Sequence, residues 1–321
     1  MAELLNIRSP SKDEIEFELK GVPVSFANAL RRILLSNLDT VVIKDVQVFE
    51  NTSQLPHEML RHRVEMLPIN VRPNESRIIS EAKLELRIPA MDTTQTITTK
   101  HFSVFGDRKD ILLKDEDGND LLFVYLNPGE ALHLTARLGI DSMDTSQVST
   151  VSYGYHIDPE IAKADKIEFL KDVPEPEKEF RGREFDNFHI QRSYPKDEND
   201  QPFWYDFILA SWGVIPPKEM LRQAIVLLKG KIEEWGALPI AREGTMASLT
   251  SATEKYTIGP LIQRVIDDRK KTSRVFYDPI HPLVAQMTVK FVTTESPESV
   301  VADAVAVITG WCDTLTTQLS R

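Results

Sequence analysis

The chain has 321 residues, 41% hydrophobic and 27% charged, the balance of an ordinary globular protein with length for two domains. Its formal net charge of −11 argues against direct grip on nucleic acid, because phosphate binding needs an excess of basic charge. A single cysteine, Cys312, excludes an internal disulfide, a four-cysteine zinc site and an iron–sulfur cluster, and fits a reducing compartment. The N-terminal MAELLNIRSP lacks the apolar core of a signal peptide. No apolar run reaches membrane-spanning length, so no membrane partner is expected.

In chain order, DEIEFELKGV alternates as a strand from Glu14 to Leu19, and Gly21 and Pro23 break it. SFANALRRILLSNL then reads as a helix with Ser25 as N-cap. Phe26, Ala29, Leu30, Ile33 and Leu34 form its apolar arc. Arg31 and Arg32 point away from that arc, with Leu35 between them. The arrangement is either a solvated face with a stray leucine or a second contact surface. A strand is expected from Thr40 to Phe49. A helix follows between Pro56 and Pro68, with Met59, Leu60 and Val64 beneath it.

Residues 72–201 change texture. Short β-like runs separated by turns suggest a β-rich insert, with DEDGND (Asp115–Asp120) as a hairpin turn. The segments VPEPEKEF and SYPKDENDQP read as polar loops. From Phe203, FWYDFILASWGV is a strand. PPKEMLRQAIVLLKGKIEEWG is a helix whose stripe includes Leu221, Ala224, Leu228 and Trp235. A short helix at YTIGPLIQRVIDD, a strand at LVAQMTVKFVTT and a long helix from Pro297 complete the chain. Ser296 is the N-cap of that helix, and Ile308, Trp311 and Leu315 lie on its apolar face.

The last section echoes the first. With Ala27 set on Gly259, Leu30 falls on Ile262, Arg32 on Arg264, Ile33 on Val265 and Leu34 on Ile266. Pro217 likewise falls on Pro297, and Leu228 on Ile308. Two related sheet-plus-helix units can cover each other's apolar helical faces. The expected class is therefore α+β: an intramolecular pseudo-dimer with a β-rich insert domain in its first unit. Its interface is Phe26, Leu30, Ile33, Leu34, Leu228, Ile262, Val265, Ile266, Ile308 and Trp311.

At this point a family resemblance becomes specific. The stretch from Phe26 to Val71 resembles the alpha-type assembly subunit of multisubunit RNA polymerase, the D-type subunit of archaea. Asn28, Leu30, Arg31, Arg32, Asn51, Ser53, Glu58, His62, Arg63 and Pro68 carry the likeness. YLNPGEALHLTARLGIDSMDTSQVSTVSYGY is similar to the family's insert stretch. Thr257, Ile258, Gly259, Tyr277, His281 and Pro282 resemble its small partner, the L-type subunit of archaea. Tyr256, Pro260 and Gln263 depart from the partner's pattern, and His57 replaces a usual aspartate.

The resemblance implies a fusion of two normally separate subunits, as large cytoplasmic DNA viruses carry. The expected domains are 1–71 with 202–240 (D-like), 72–201 (insert) and 241–321 (L-like). It also implies a non-catalytic scaffold with no cofactor and no metal. The scaffold docks two large catalytic subunits and small assembly subunits, and meets nucleic acid only through the complex. Arg31, Arg32, Leu35 and Arg63 are the expected large-subunit contacts. No homo-oligomer is expected. The location is cytoplasmic, in a viral factory or virion, or nuclear if the source polymerase is nuclear.

Two rivals come from other classes. One is a stand-alone interaction module unrelated to transcription. The other is a metallohydrolase using His57, Glu58 and His62. It fails on spacing, because positions five apart on a helix differ by about 140° and their rings cannot converge on one ion.

Overall fold

The computed structural model describes residues 2–115, 117–142, 149–212, 214–253, 256–279, 281, 283–284 and 286–320. Pro282 and residues 143–148, which belong to the resemblance above, lie outside the described residues. In chain order the elements begin with β1 (Glu3–Ser11), β2 (Glu14–Lys20), α1 (Val24–Ser36), β3 (Thr40–Asn51), α2 (His57–Glu65) and α3 (Ser76–Glu81). Then come β4 (Lys83–Ile88), β5 (Gln95–Thr98), β6 (Ser103–Phe105), β7 (Leu122–Leu126), β8 (Leu132–Asp141) and β9 (Ser149–Tyr155). Next are α4 (Pro159–Leu170), α5 (Lys178–Asn187), β10 (Trp204–Ser211) and α6 (Pro217–Gly236). The last are β11 (Ile240–Glu243), β12 (Met246–Ser251), α7 (Ile258–Asp268), β13 (Arg274–Pro279), β14 (Met287–Val292) and α8 (Pro297–Leu319). The class is α+β, as expected from the sequence.

The chain forms two compact units. Unit 1 comprises Met1–Leu34, Thr150–Ala210 and Pro217–Arg321; unit 2 comprises Leu35–Ser149 and Ser211–Pro216. These limits differ from the expected ones. The expected D-like segment ran on to residue 71, yet β3 pairs with β8 along nearly its whole length and therefore belongs to the insert's sheet. The expected insert ran to residue 201, yet residues 150–201 belong to unit 1, where β9 joins the first sheet. Strand pairing over about ninety residues leaves no local trace in a sequence, so composition alone misplaces such boundaries.

Unit 1 contains the same sheet twice. One sheet runs β1-β2-β10-β9 and the other β11-β12-β14-β13. Each is entered by a hairpin, and each hairpin is followed by a helix, α1 in the first and α7 in the second. The strand next to each hairpin leads into a long helix, α6 after β10 and α8 after β14. The inward residues of β2 (Ile15, Phe17, Leu19), β10 (Tyr205, Phe207, Leu209), β12 (Ala247, Leu249) and β14 (Met287, Val289, Phe291) are buried at period two. Phe17 and Phe207 stack across their pair with centroids 5.0 Å apart.

The helices carry the stripes expected of them. Phe26, Leu30, Ile33, Leu34, Leu228, Ile262, Val265, Ile266 and Ile308 are all buried. Helix α6 packs on α8, and α7 also packs on α8. Phe26 of α1 meets Trp311 of α8 edge to face, with centroids 5.6 Å apart and planes at 88°. Trp311 is half-buried, less than its place on the stripe suggested. Gly259 stands at the repeat position of Ala27 because space demands it: a Cβ there would lie 2.6 Å from Cγ of Met287.

Several local expectations change. Ser25 is not the cap of α1. The helix begins one residue earlier, and the Pro23 carbonyl accepts from the amides of Phe26 and Ala27. Strand β1 and helices α4 and α5 were not expected. β1 is broken by register shifts and by Asn6 at φ 50°, which spoil its alternation, while α4 and α5 are highly charged with few buried positions. Helix α8 is apolar and long enough to cross a membrane by length and composition, contrary to the sequence reading. Its Val, Ala, Ile and Leu content raises the mean hydropathy. It is packed through Val301, Ala304, Ile308, Cys312 and Leu315, and its Asp303 and Asp313 form ion pairs.

Unit 2 is the sheet β3-β8-β4-β6 with the pair β5-β7 and helices α2 and α3. Ile43, Leu60, Val64, Leu84, Leu86, Leu134 and Phe123 are in its core. Leu60 and Val64 of α2 face that core as expected, but Met59 is 53% exposed.

Candidate docking surface

Helix α1 turns its apolar arc inward, and this leaves Asn28, Arg31, Arg32 and Leu35 on the rest of its circumference. All three of Arg31, Arg32 and Leu35 are half-buried. The two arginines do different things. Arg31 folds back along its own helix, and its Nε and Nη2 donate to Oδ1 of Asn28 at 3.3 and 2.9 Å. That bond fixes the guanidinium at the helix surface. Arg32 instead donates from Nε to Oγ1 of Thr257 at 2.9 Å. Thr257 immediately precedes α7, so this contact joins the first and last sections of the chain within unit 1. Arg32 therefore has an internal role that its outward helical position did not announce.

Further bonds cross the same boundary in unit 1. Lys229 of α6 reaches Asp313 of α8 at 2.6 Å, and the amide of Leu4 donates to Oε1 of Gln318 at 2.7 Å. The Cys312 thiol beside them is buried, and burial pushes it up to about 12, so it is an inert packing group.

In unit 2 the N-T-S turn is a latch between β3 and α2. Oδ1 of Asn51 accepts from the amide and hydroxyl of Ser53 at 3.0 and 2.6 Å, and Nδ2 of Asn51 donates to the Leu55 carbonyl at 2.8 Å. Thr52 Oγ1 accepts from the Ala131 amide at 2.7 Å, which ties the latch to β8. Arg63 donates from Nε and Nη2 to the Phe123 carbonyl at 3.0 and 2.5 Å. The fork ties α2 to β7, while Arg63 itself stays exposed.

Glu58, Met59 and His62 share the exposed side of α2. No hydrogen bond or ion pair holds the side chains of Glu58 or His62 among the described residues. The i, i+4 bond on this helix is Arg61 to Glu65 at 3.0 Å. Among the described residues His57, Glu58 and His62 do not gather three ligand atoms within 4.8 Å, as the five-residue spacing predicts. Sequence reasoning missed a second feature of unit 2. Trp212, 58% exposed, stands beside an apolar hollow lined by Val41, Leu67, Ile69, Leu113 and Leu121. A tryptophan directly after a strand was its only signal.

The model of the RNA polymerase Rpb3/Rpb11 dimerisation domain matches residues 16–232. Human DNA-directed RNA polymerases I and III subunit RPAC1 is 25% identical over 280 residues, covering 68% of this chain and 80% of that protein. Subunit Rpo3 of the Pyrococcus furiosus DNA-directed RNA polymerase is 28% identical over 251 residues, covering 72% and 95%. The rpac1 subunit of DNA-directed RNA polymerases I and III from Dictyostelium discoideum is 29% identical over 176 residues, 46% of this chain. The chain spans about half the length of that relative, 51%. With a match that takes in α1, the N-T-S latch, α2, the insert's sheet and most of α6, the chain belongs to the RNA polymerase Rpb3/Rpb11 dimerisation domain family.

Proposed function

We propose that this chain is a non-catalytic assembly and scaffold subunit of a DNA-directed RNA polymerase, whose two related halves pair in cis and dock the two large catalytic subunits. The observation that carries the reading is the doubled sheet order of unit 1, with α1, α6, α7 and α8 burying their stripes together. In a family of dimerisation domains, a second copy of the strand order inside one chain supplies the partner that a single copy lacks. The D-like half is then residues 1–71 and 202–240 together with the inserted domain, and the L-like half is 241–321. The catalytic chemistry belongs to the complex, and nucleic acid is met through the large subunits. The reading carries with it a fused pair of subunits, a viral source, further small assembly subunits as partners and a cytoplasmic site of work.

Within this proposal Arg31 and Leu35 make the large-subunit contact. Arg32 and Arg63, which also bond within the chain, position the elements around it. A tagged full-length chain purified from its native source should bring down both large polymerase subunits. Arg31→Glu should lower their recovery at least tenfold while leaving the urea midpoint of the chain unchanged. Undiminished recovery would remove the α1 face as the contact. Absence of any polymerase subunit would favour the stand-alone interaction module.

A further inference from the structure

The outer face of the first sheet in unit 1 holds a group of polar side chains away from the α1 docking surface proposed above. Antiparallel pairing of β2 with β10 sets Glu18 directly opposite Asp206. Their neighbours Phe17, Leu19 and Phe207 point to the core, so both carboxylates stand on the solvent side. Two like charges directly opposite one another destabilise a strand pair. His156, just past β9, closes the third side. Its amide donates to the Trp204 carbonyl at 3.0 Å, and its Nδ1 lies 2.8 Å from Oδ1 of Asp206.

One potential ligand atom from each of Glu18, His156 and Asp206 lies within 4.8 Å of the other two. No other such group occurs among the described residues. Groups outside the trio set their orientation. Glu18 accepts from Nδ2 of Asn6 at 2.7 Å on Oε1 and from Nε1 of Trp204 at 3.1 Å on Oε2. The Trp204 ring stacks on the His156 ring, with centroids 3.9 Å apart and planes at 14°. Lys20 Nζ is 3.8 Å from the same indole centroid. Two groups so close to one centroid must occupy opposite faces, so the indole separates the ammonium from the imidazole. A hollow lined by Asn6, Arg8, Glu16, Glu18 and Asp206 opens beside the two carboxylates and gives water access to them.

We propose that Glu18, His156 and Asp206 bind a divalent transition-metal ion, Zn2+ by donor chemistry, with water in the remaining position. Two carboxylate oxygens and one imidazole nitrogen suit zinc better than the all-oxygen shell of calcium. The ion takes the place of the hydrogen shared by His156 and Asp206 and neutralises the facing carboxylates. Zinc–ligand bonds of about 2.0–2.2 Å require Glu18 to close in and the His156–Asp206 pair, 2.8 Å apart, to open slightly, and Asp206 is exposed and able to rotate. Asn6 and Trp204 hold Glu18 as outer-shell groups. The bound ion would pin β2, β10 and the exit from β9 to one another. The site uses none of His57, Glu58 or His62.

The test is calorimetric titration of the full-length, chelator-stripped chain with Zn2+, with Co2+ as a spectroscopic substitute. One equivalent should bind. His156→Ala and Asp206→Asn should each weaken binding at least tenfold and abolish the visible bands of the Co2+ form, with the circular dichroism spectrum unchanged. Trp204→Phe keeps a ring against His156 but removes the N–H to Glu18, and should weaken binding about 10–100-fold. A His57→Ala, His62→Ala double variant should bind as the parent does. Failure to bind one equivalent, or binding that survives His156→Ala, overturns the proposal.

Discussion

Truncating Phe26 tests the mating of α1 with α8. Its side chain is fully buried, and replacing such a phenylalanine with alanine costs about 3–5 kcal/mol. Trp311 is half-buried, so Trp311→Ala should cost about half of that range, ~2 kcal/mol. The edge-to-face geometry at 5.6 Å adds a pair term of about 0.5–1.5 kcal/mol beyond area burial. The double variant loses that term once, whereas the two single variants each lose it. Its destabilisation should therefore fall short of the sum of the singles by about 1 kcal/mol. Equilibrium urea unfolding of the full chain measures this. The transition that exposes the buried Cys312 thiol to a thiol reagent identifies unit 1. Additivity within ~0.3 kcal/mol would mean that the two rings are not in contact and would refute the reasoning.

Two further perturbations separate internal roles from surface ones. Arg63→Met removes the fork on the Phe123 carbonyl and should destabilise unit 2 by about 1.5 kcal/mol in urea unfolding; an unchanged midpoint would show that the fork adds nothing to stability. Asp303 accepts from Arg269 at 2.9 Å and pairs with Lys271 at 3.1 Å, and these bonds hold its carboxyl down to about 2 from an ordinary 3.8. Its folded pKa is depressed, so its contribution to stability is fully present above 3.8 and is lost as pH falls toward about 2. Asp303→Asn should therefore flatten the decline of the urea midpoint between those values; an unaltered slope would show that the pair contributes nothing.

What the sequence made legible was whatever a local period records. Phe26, Leu30, Ile33 and Leu34 repeat at helical spacing, as do Leu221, Leu228 and Ile262, and each is buried on one helix face. The repeat was visible because both copies must bury similar stripes. What stayed hidden depended on partners distant in the chain. Arg32 has an outward helical position, and only the approach of α7 turns it into an internal donor to Thr257. Arg63 is likewise claimed by a carbonyl sixty residues away. Met59 fits the α2 pattern but has no core above it. Strand β3 looked like part of the first unit because it follows α1 directly, whereas its register with β8 assigns it to the second. The trio Glu18, His156 and Asp206 comes from three separate segments, and no motif spacing connects them.

Pairing in cis is the central claim, and separating the two halves tests it most directly. Residues 1–240 and 241–321, co-expressed as independent chains with a tag on only one, should purify as a single 1:1 complex. Each alone would expose the long apolar stripe of α6 or α8, a surface that soluble monomers rarely leave uncovered. Elution of the two as separate, folded species would contradict the account.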